Sequence, residues 1–308
     1  MRWRLPRRPT PHESQIIHDL ETEGVHVTTI DRLLPESAPT IHESLARASM
    51  LLANEPTREH SASWARRLVS TDLRAEVLLE RTPEIYLLGL HRRLLELVRR
   101  YLQLPVAYHG AVLRHSMMDG VNAGPRLWHQ DGEDFHVVRM ILYLTDVTPG
   151  SGPFEYISRG LGISHKHFHG VKEDLTSNRM ETVVPRDRWK RCTGAAGTVV
   201  LCDTGKVFHH ESLQTERNRA VIMFGYSSRR PKNIECAMAH FPVERLRPAL
   251  MQIVPPENYD HVFGWRCNKP AEPASSLAHR ISARTSLILS ADTASAKDHT
   301  LSVWTGRE

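Results

Sequence analysis

The segment "RLWHQDGEDF", residues 126–135, places a histidine and an aspartate two positions apart. Side chains at positions i and i+2 of a strand point to the same face, so His129 and Asp131 can bind one metal ion together. The pair alone is weak evidence, because the 308-residue chain has 19 histidines and 35 acidic residues. Its context strengthens it, since a turn-forming stretch precedes the pair and a hydrophobic strand is predicted after it.

A third candidate ligand lies in "CDTGKVFHHES", residues 202–212, where His209 follows His129 by 80 positions. That is enough chain for a barrel to bring its far end back beside the first pair. Two imidazoles and one carboxylate on a barrel form the facial triad of non-haem Fe(II) oxygenases. Such a triad leaves positions open for a keto acid and dioxygen. No cysteine stands beside these residues, which argues against the usual zinc arrangement. His209 is favoured over its neighbour His210.

Basic and aromatic side chains near this triad are candidates for binding a cosubstrate. Arg219 opens the strand "RAVIMFGY", ten residues after the third ligand, and its guanidinium can bind the distal carboxylate of a keto acid through two hydrogen bonds. Arg217 would share that face if the strand has already begun, so it is the reserve candidate. Arg114 either lines the barrel or faces outward. Trp128 and Tyr143 are expected to pack beside the metal, where either can touch the substrate.

The elements that must position these residues change character along the chain. The first third predicts helices: one from near residue 12 that ends at Gly24, one over 41–55, and the clearest over 82–105, where leucines recur at helical spacing. A short strand, "VHVTTI", follows the first helix. From about residue 106 the chain predicts short strands separated by turn residues. These strands are "VAYHGAVLRHSMM", "FHVVRMILYLTDV", "GTVVLCD" and "RAVIMFGYSS".

Helices followed by strands favour a mainly β, α+β fold, a sandwich or barrel with helices on an outer face, over a doubly wound parallel sheet. We expect one domain over 11–268, with helical support over 11–105 and a barrel core over 106–230. Residues 161–190 are predicted to be a long loop over the barrel that serves as a lid or substrate wall. Residues 1–10 are expected to be a basic, flexible N-terminus. Residues 269–308, rich in alanine and serine, are expected to be a loosely ordered tail with "SLILSA" as a short element.

Composition excludes several other classes of protein. Hydrophobic residues at 40% and charged residues at 24% are ordinary for a soluble globular chain. The apolar runs are too short to span a membrane, and no apolar segment of a secretory signal follows the basic start. The net charge of +5 is modest, and no nucleic-acid-binding motif accompanies it. Four cysteines without a CxxC pair indicate reduced thiols and a cytoplasmic protein.

The predicted loop over 161–190 carries two further features. "HKHFH", residues 165–169, could bind a second metal ion, but a solvated segment is favoured because nothing fixes these rings on a rigid element. The loop is also basic, which suits an anionic or carrier-bound substrate, although basic loops are most often simply solvated. Its basic residues are Lys166, Lys172, Arg179, Arg186 and Arg188.

The chain resembles the phytanoyl-CoA dioxygenase family of Fe(II)/2-oxoglutarate-dependent oxygenases over about residues 15–230. "WHQD" at 128–131 is similar to the family's ligand strand, and "GTVVLCDTGKVFHH" at 197–210 is similar to the strand that carries its last histidine. "LYLTDVTPGSGPFEYISRG" at 142–160 resembles the strand and turn between them. "HDLETEGVHVTTIDRLL" at 18–34 resembles the family's opening helix and strand.

The resemblance implies a double-stranded β-helix, or jelly roll, in which His129, Asp131 and His209 bind Fe(II) and Arg219 binds 2-oxoglutarate. With dioxygen as the other cosubstrate, the implied reaction hydroxylates an unactivated C–H bond and releases succinate and carbon dioxide. Family members act on acyl thioesters such as CoA esters, on small polar solutes and in secondary metabolism. Asp131 argues against a halogenase, because those enzymes need a small residue there.

Two departures from the family pattern bear on the substrate. The family has Gly-Ser or Gly-Ala after its last histidine, where this chain has His210 and Glu211, which add bulk and charge near the cosubstrate. The family's "PGSH" turn is replaced by "SRGL", residues 158–161. Both changes leave the ligand types intact.

Two alternatives to an oxygenase follow from the same residues. A cupin-like metal-binding protein without oxygenase activity would keep the three ligands and would not need Arg219. A catalytically silent barrel used as a binding module would bind no iron and would tolerate alanine at His129 and Asp131. A small molecule is the expected partner in the oxygenase interpretation, and the sequence does not specify an oligomeric state.

Overall fold

The computed structural model describes residues 8–54, 58–59, 70–170 and 174–266. Predictions that fall on other residues, including most of the basic N-terminus, Lys172 and the tail with "SLILSA", lie outside the described residues. The helices are α1 (Pro11–Thr22), α2 (Ile30–Leu33), α3 (Ala38–Asn54), α4 (Ala75–Arg81), α5 (Pro83–Leu88), α6 (Arg92–Leu102), α7 (Ser177–Glu181), α8 (Ile234–Met238), α9 (Val243–Ile253) and α10 (Tyr259–Val262).

The strands form two antiparallel sheets. They are β1 (Val25–Thr29), β2 (Arg58–Glu59), β3 (Ser70–Leu73), β4 (Val106–Ser116), β5 (Val138–Tyr143), β6 (Phe154–Ile157), β7 (Trp189–Cys192), β8 (Thr198–Asp203), β9 (His209–Glu211) and β10 (Arg219–Ser228). The large sheet has the order β1-β8-β5-β10-β4-β3-β2, and the small sheet has the order β7-β6-β9. Between β5 and β10 the chain crosses from one sheet to the other four times. This winding is the double-stranded β-helix, or jelly roll, so the predicted fold class is confirmed.

Side-chain alternation along the large sheet decides which residues point between the two sheets. On β5, Met140 and Leu142 belong to the core under the helices, whereas Ile141 and Tyr143 belong to the cluster between the sheets. Since alternate residues share a face, Arg139 points between the sheets as well. By the same rule β10 directs its residues of odd number, beginning with Arg219, towards the space between the sheets. On β4 a bulge at His109 reverses the alternation, so that after the bulge the residues of even number, including Arg114, point between the sheets.

The predicted helix over 82–105 is wrong as a single element, because it is divided into α5 and α6 around Gly89. A side chain at Gly89 would collide with Tyr108, since its Cβ would lie 2.3 Å from the tyrosine hydroxyl oxygen. The hydroxyl group of Tyr108 donates to the carbonyl of Tyr86, and that of Tyr226 donates to the carbonyl of Gly89. Tyrosines of β4 and β10 thus satisfy carbonyl groups at the break, where helical partners are missing.

The other predicted helices form close to where they were expected. In α1 a capping box joins Thr10 and Glu13: the amide of Glu13 donates to the Thr10 hydroxyl (3.2 Å), and the amide of Thr10 donates to the Glu13 carboxylate (2.9 Å). Ile16 and Leu20 bury the inner face of α1, and Gly24 has a φ of 85° just after the helix ends. The helix predicted over 41–55 is α3, which begins three residues earlier.

The segment 161–190 is predicted to be a lid or substrate wall, but none of its described residues lines the cavity described below. It contains α7 and several 3-10 turns, and it packs in a separate apolar cluster with Trp128 and Phe208. Its Leu175 exchanges both backbone hydrogen bonds with Trp128, each 2.8 Å long. Apolar residues within the segment drive this docking, namely Phe168, Leu175, Met180 and Val184.

Three cysteines of the described residues, Cys192, Cys202 and Cys236, are free. None of the described helices is both long enough and apolar enough to cross a membrane.

Candidate active site

Two histidines and one carboxylate converge between the sheets. The Nε2 atom of His129 lies 3.8 Å from Oδ1 of Asp131, and Nε2 of His209 lies 3.9 Å from the same oxygen. One potential ligand atom from each of the three residues lies within 4.8 Å of the others. In the part of the chain that the structure describes, no other set of three histidine, cysteine or acidic side chains is arranged in this way. The "HKHFH" segment therefore forms no second cluster of this kind.

Backbone contacts fix the orientation of both imidazole rings. His129 and His209 exchange their backbone hydrogen bonds, at 3.0 Å each. The Nδ1 atom of His129 lies 2.8 Å from the carbonyl of Leu127, and that of His209 lies 3.2 Å from the carbonyl of Val207. Because a carbonyl only accepts, Nδ1 of each ring carries the proton. The lone pair of Nε2 is then free on each ring, which is the tautomer that a metal ion requires.

Asp131 is held through the oxygen that faces away from the two histidines. Its Oδ2 accepts from the hydroxyl of Thr204 (2.7 Å) and from Nε of Arg139 (3.0 Å), and its amide donates to the carbonyl of Thr204 (2.9 Å). The predicted strand at this point is wrong in detail, since His129 makes only an isolated bridge and Asp131 lies in a loop. The convergence of positions i and i+2 is instead imposed by the partner backbone of His209 and Thr204.

The protonation states of the cluster suit a divalent cation. Burial alone would raise the pKa of Asp131, but the positive charge of Arg139, the two histidines and the Thr204 hydrogen bond outweigh it and hold this pKa well below its usual range. Burial and the neighbouring His129 lower the pKa of His209 to about 3. At neutral pH the cluster therefore offers a carboxylate and a neutral imidazole, the forms that bind metals.

His210 is unavailable as the third ligand, which decides between the two adjacent histidines. Its Nδ1 lies 2.9 Å from the carbonyl of Arg126, and its Nε2 lies 2.8 Å from Oε2 of Glu155. Trp128 stacks on its ring at a centroid distance of 4.0 Å. His210 is therefore a buried side chain with both nitrogens engaged, which agrees with the preference for His209 as the third ligand.

The three converging residues line a cavity of about 860 Å³. Arg219 and Arg114 line the same cavity, as the alternation along β10 and β4 requires. Much of the remaining wall is apolar and comes from the large sheet, from the segment around α8, from Phe154 of the small sheet and from Ala75 of α4. These apolar residues are Leu73, Ala75, Ala111, Val112, Ile141, Phe154, Met223, Phe224, Met238, Ala239, Phe241 and Pro242.

The two arginines differ in how far they are engaged. Arg114 forms a double ion pair with Asp72, with Nε and Nη2 each 2.7 Å from a carboxylate oxygen. Arg219 donates from Nη1 to the carbonyl of Gly152, and its Nη2 lies 2.5 Å from Oε2 of Glu211. The Nε atom of Arg219 is buried without a hydrogen-bond partner. Of the two, Arg219 therefore retains an unused donor.

Three other residues singled out from the sequence lie outside the cavity wall. Arg217 is exposed on the connection before β10, because the strand begins only at Arg219. Tyr143 is fully buried, and its hydroxyl donates to the carbonyl of Cys192 (2.6 Å). Trp128 is also fully buried and packs beside His210. The structure therefore brings none of these three to the cavity.

Sequence reasoning missed a polar network behind Asp131. Arg139 links Asp131 to Glu133, whose Oε1 lies 2.5 Å from Nη2 of the arginine. His240 contacts both Glu133 and Arg139, the latter at 3.0 Å. An available signal was the arginine inside the apolar run "FHVVRMILYL", since a charge at a buried strand position needs a partner.

The sequence profile of the phytanoyl-CoA dioxygenase (PhyH) family matches residues 29–219. This match covers more than half of the chain, and the chain belongs to that family. The protein is accordingly a non-haem oxygenase that depends on Fe(II) and 2-oxoglutarate. The resemblance seen in the motifs is thereby confirmed. Comparison with curated protein sequences finds no match.

Several solved structures are similar to this chain. EctD from S. alaskensis, in its apoform, is 19% identical, with a TM-score of 0.50 over 75% of this chain and 82% of that chain. HygX from Streptomyces hygroscopicus, solved with nickel and 2-oxoglutarate bound, is 15% identical, with a TM-score of 0.47 over 70% and 86%. The 2-oxoglutarate-dependent epimerase SnoN from nogalamycin biosynthesis is 16% identical, with a TM-score of 0.49 over 71% and 84%. At these identities the EctD likeness supports the jelly-roll fold alone.

Proposed function

We propose that His129, Asp131 and His209 bind the Fe(II) of this oxygenase. The observation that carries the proposal is the convergence of two Nε2 atoms and one carboxylate oxygen, while the other polar atom of each side chain is already bonded within the protein. Two imidazoles and one carboxylate suit Fe(II) and occupy one face of its coordination sphere. The opposite face remains open for the cosubstrates.

The proposal assigns the distal carboxylate of 2-oxoglutarate to Arg219. This arginine lines the cavity of the three ligands, is 5% exposed and keeps one donor without a partner. A buried guanidinium binds a carboxylate through charge-assisted hydrogen bonds. Arg114 is the weaker candidate, because its Nε and Nη2 groups both already donate to Asp72, whereas Nε of Arg219 has no partner. Arg217 and Tyr143 have no part in the proposal, since neither lines the cavity.

The reaction we propose is hydroxylation of an unactivated C–H bond in a small organic or carrier-linked substrate, such as a CoA ester. When bound, Fe(II) and 2-oxoglutarate supply the activation of dioxygen, with succinate and carbon dioxide as coproducts. The chain itself contributes the binding surface: a cavity of about 860 Å³ lies within the usual range for ligand sites. Its apolar wall excludes water and orients the substrate beside the three ligands. A cytoplasmic location and a role in secondary metabolism remain part of this proposal.

Anaerobic reconstitution tests the site before any substrate is known. Wild-type protein with Fe(II) and 2-oxoglutarate should develop the weak visible charge-transfer band of an iron–keto-acid chelate. The His129→Ala variant should lack the band, because one imidazole ligand is removed. Arg219→Leu should show it only at a much higher 2-oxoglutarate concentration, because the distal carboxylate loses its charged partner.

Each result separates the oxygenase from the alternatives. A wild-type protein that binds iron but gives no band with 2-oxoglutarate would be a metal-binding barrel. A band that survives in His129→Ala would place the metal elsewhere. Once a substrate is found, incorporation of an oxygen atom from labelled dioxygen into the product distinguishes hydroxylation from desaturation or cyclisation.

A further inference from the structure

Glu211 forms an ion pair with Arg219, the residue to which the proposed function assigns the distal carboxylate of 2-oxoglutarate. Its Oε2 lies 2.5 Å from Nη2 of Arg219, and the side-chain amide of Gln214 donates to its Oε1. Glu211 is 7% exposed and Arg219 is 5% exposed, so the ion pair is shielded from solvent. The short strand β9 fixes this acid two positions after His209.

The charges of the two arginines Arg114 and Arg219 are each already paired with a carboxylate of the chain. Arg219 faces Glu211, and Arg114 faces Asp72, which gives two guanidinium groups and two carboxylates on the cavity wall. Burial lowers the pKa of Arg114, but Asp72 and the negative charge of Glu211 outweigh burial, and this pKa is raised above its ordinary value. A dicarboxylate that reaches Arg219 therefore brings a further negative charge beside a buried carboxylate, and like charges in such a site repel strongly.

We propose that Glu211 is a specificity-determining residue of the cosubstrate site, and the inference rests on the proposed role of Arg219. Glu211 weakens the binding of a 2-oxo acid with a distal carboxylate. It has little effect on a 2-oxo acid of equal length that ends in a methyl group, because that molecule carries no charge to be repelled. The wild-type site therefore discriminates less between these two classes of 2-oxo acid than a site with a neutral residue at position 211.

The test compares two ligands on the full chain loaded with Ni(II), which allows binding to be measured without turnover. 2-Oxoglutarate and 2-oxopentanoate have the same chain length and differ at C5, a carboxylate in one and a methyl group in the other. Calorimetric titration of each gives their dissociation constants. In Glu211→Gln the affinity for 2-oxoglutarate should rise about tenfold or more, while that for 2-oxopentanoate should change by less than about threefold.

Matched variants separate charge from structure. The glutamine in Glu211→Gln has one acceptor oxygen and so keeps a hydrogen bond from Arg219 or from Gln214, which donate to different oxygens of Glu211. Glu211→Ser removes the charge with a smaller side chain that places no amide group against these donors. Glu216→Gln removes an exposed carboxylate five positions further on, which accepts from Thr148 (2.9 Å) and does not line the cavity. This control should leave both dissociation constants unchanged.

The outcomes distinguish the inference from the proposed function beneath it. If wild type binds 2-oxoglutarate and Arg219→Leu does not, yet folded Glu211→Gln and Glu211→Ser bind it no more tightly than wild type, the role of Glu211 is overturned and that of Arg219 stands. If wild-type affinity for 2-oxoglutarate does not depend on Arg219, the proposed cosubstrate site and the inference fail together. A selective gain in both Glu211 variants supports the inference.

Discussion

Asp131 is the candidate ligand whose orientation depends most on its neighbours. Thr204 and Arg139 both donate to Oδ2, so the carboxylate cannot rotate without breaking two hydrogen bonds, and Oδ1 stays directed at the two histidines. Bonds of this kind behind a ligand carboxylate commonly change metal affinity when they are removed. The candidate metal site is therefore built from at least five side chains.

Arg139→Gln should weaken metal binding without removing a ligand. Glutamine loses the positive charge that stabilises the carboxylate form of Asp131 and the donor that fixes it, so metal affinity should fall about 10- to 100-fold. Anaerobic calorimetric titration with Fe(II) measures the change. Arg93→Gln is the matched control, because it removes an arginine that pairs with Glu13 outside the cavity. An affinity within about threefold of wild type in Arg139→Gln would contradict this account.

At the residue scale the sequence predicted that His129, Asp131 and His209 lie together, and the structure brings them together. The reason given for it was wrong, because backbone contacts to His209 and Thr204, and not alternation along a strand, make residues 129 and 131 converge. The partners of Arg139 could not be predicted, because His240 lies 101 positions further along the chain. Likewise the choice between Arg217 and Arg219 depended on where β10 begins, which the sequence pattern leaves uncertain by two residues.

Element-scale prediction failed where tertiary contacts override local pattern. The leucine spacing over 82–105 suits one helix, but tyrosines of the sheet divide it at Gly89. The strands β6 and β9 escaped notice because they are only four and three residues long, and β9 reads His-His-Glu. The segment 161–190 looked like a solvated loop because its buried residues have no regular period. Long strands and helices with a full amphipathic pattern were the predictable part.

Gly225→Ala should weaken metal binding, because β10 pairs with β5 beside the candidate metal site. Gly225 lies directly opposite Arg139 in the register, and a Cβ there would lie 2.2 Å from Nη1 of that arginine. Because Arg139 is held by Asp131 and Glu133, it can move aside only by giving up these partners. Fe(II) affinity should therefore fall about tenfold or more, as expected when support behind a ligand is lost.

The control for this variant is Gly132→Ala, since nothing lies within 4 Å of a Cβ at Gly132 and the residue also lines the cavity. Calorimetric titration with Fe(II) on both variants gives the comparison. Equal affinities in Gly225→Ala and Gly132→Ala would mean that the β10–β5 contact does not govern Asp131.

Phe168→Ala tests whether the segment 161–190 supports the fold while it stays out of the cavity. Phe168 is fully buried and packs edge-on against Phe208, with ring centroids 5.5 Å apart. Its removal should lower the free energy of unfolding by about 3–5 kcal/mol, as for other buried phenylalanines. Phe135→Ala, at a residue that is 67% exposed, should change it by less than about 0.5 kcal/mol.

Urea denaturation measures the stability change, and 2-oxoglutarate titration of the folded, Ni(II)-loaded variant measures the site. The dissociation constant of Phe168→Ala should stay within about threefold of wild type, since the described residues of 161–190 do not line the cavity. A loss of affinity much greater than this would assign the segment a direct role at the site.

At the scale of the whole molecule, buried and partly buried histidines should make the fold sensitive to mild acid. Burial is the largest cause that lowers the pKa of six histidines, which are His12, His91, His109, His209, His240 and His261. A group whose pKa is lower in the folded than in the unfolded chain stabilises the fold above the unfolded value, about 6.5 for histidine. That contribution is lost as the pH falls towards the folded pKa.

His109 offers the clearest measurement of this effect, because it is fully buried and does not line the cavity. Burial lowers its pKa well below the usual value, helped by Arg139, His240 and Arg266 against the opposing charge of Asp131. Between pH 6.5 and 5 the unfolded chain therefore gains a proton here that the folded chain does not. Uptake of this proton alone should lower the free energy of unfolding by up to about 1.4 kcal/mol for each unit by which the pH falls.

His109→Gln should remove the contribution of His109 to the acid sensitivity, because glutamine does not titrate. The glutamine can keep a hydrogen bond to Ser227, so the packing at this position is preserved. Urea denaturation of the metal-free protein at several pH values between 7 and 5 gives the slope of unfolding free energy against pH. The slope should be shallower than in wild type by about 1 kcal/mol per pH unit. His18→Gln, at an exposed position of α1, should match wild type, since its ring meets solvent in the folded and the unfolded chain. Identical slopes in wild type and His109→Gln would show that a cationic His109 is tolerated inside the fold.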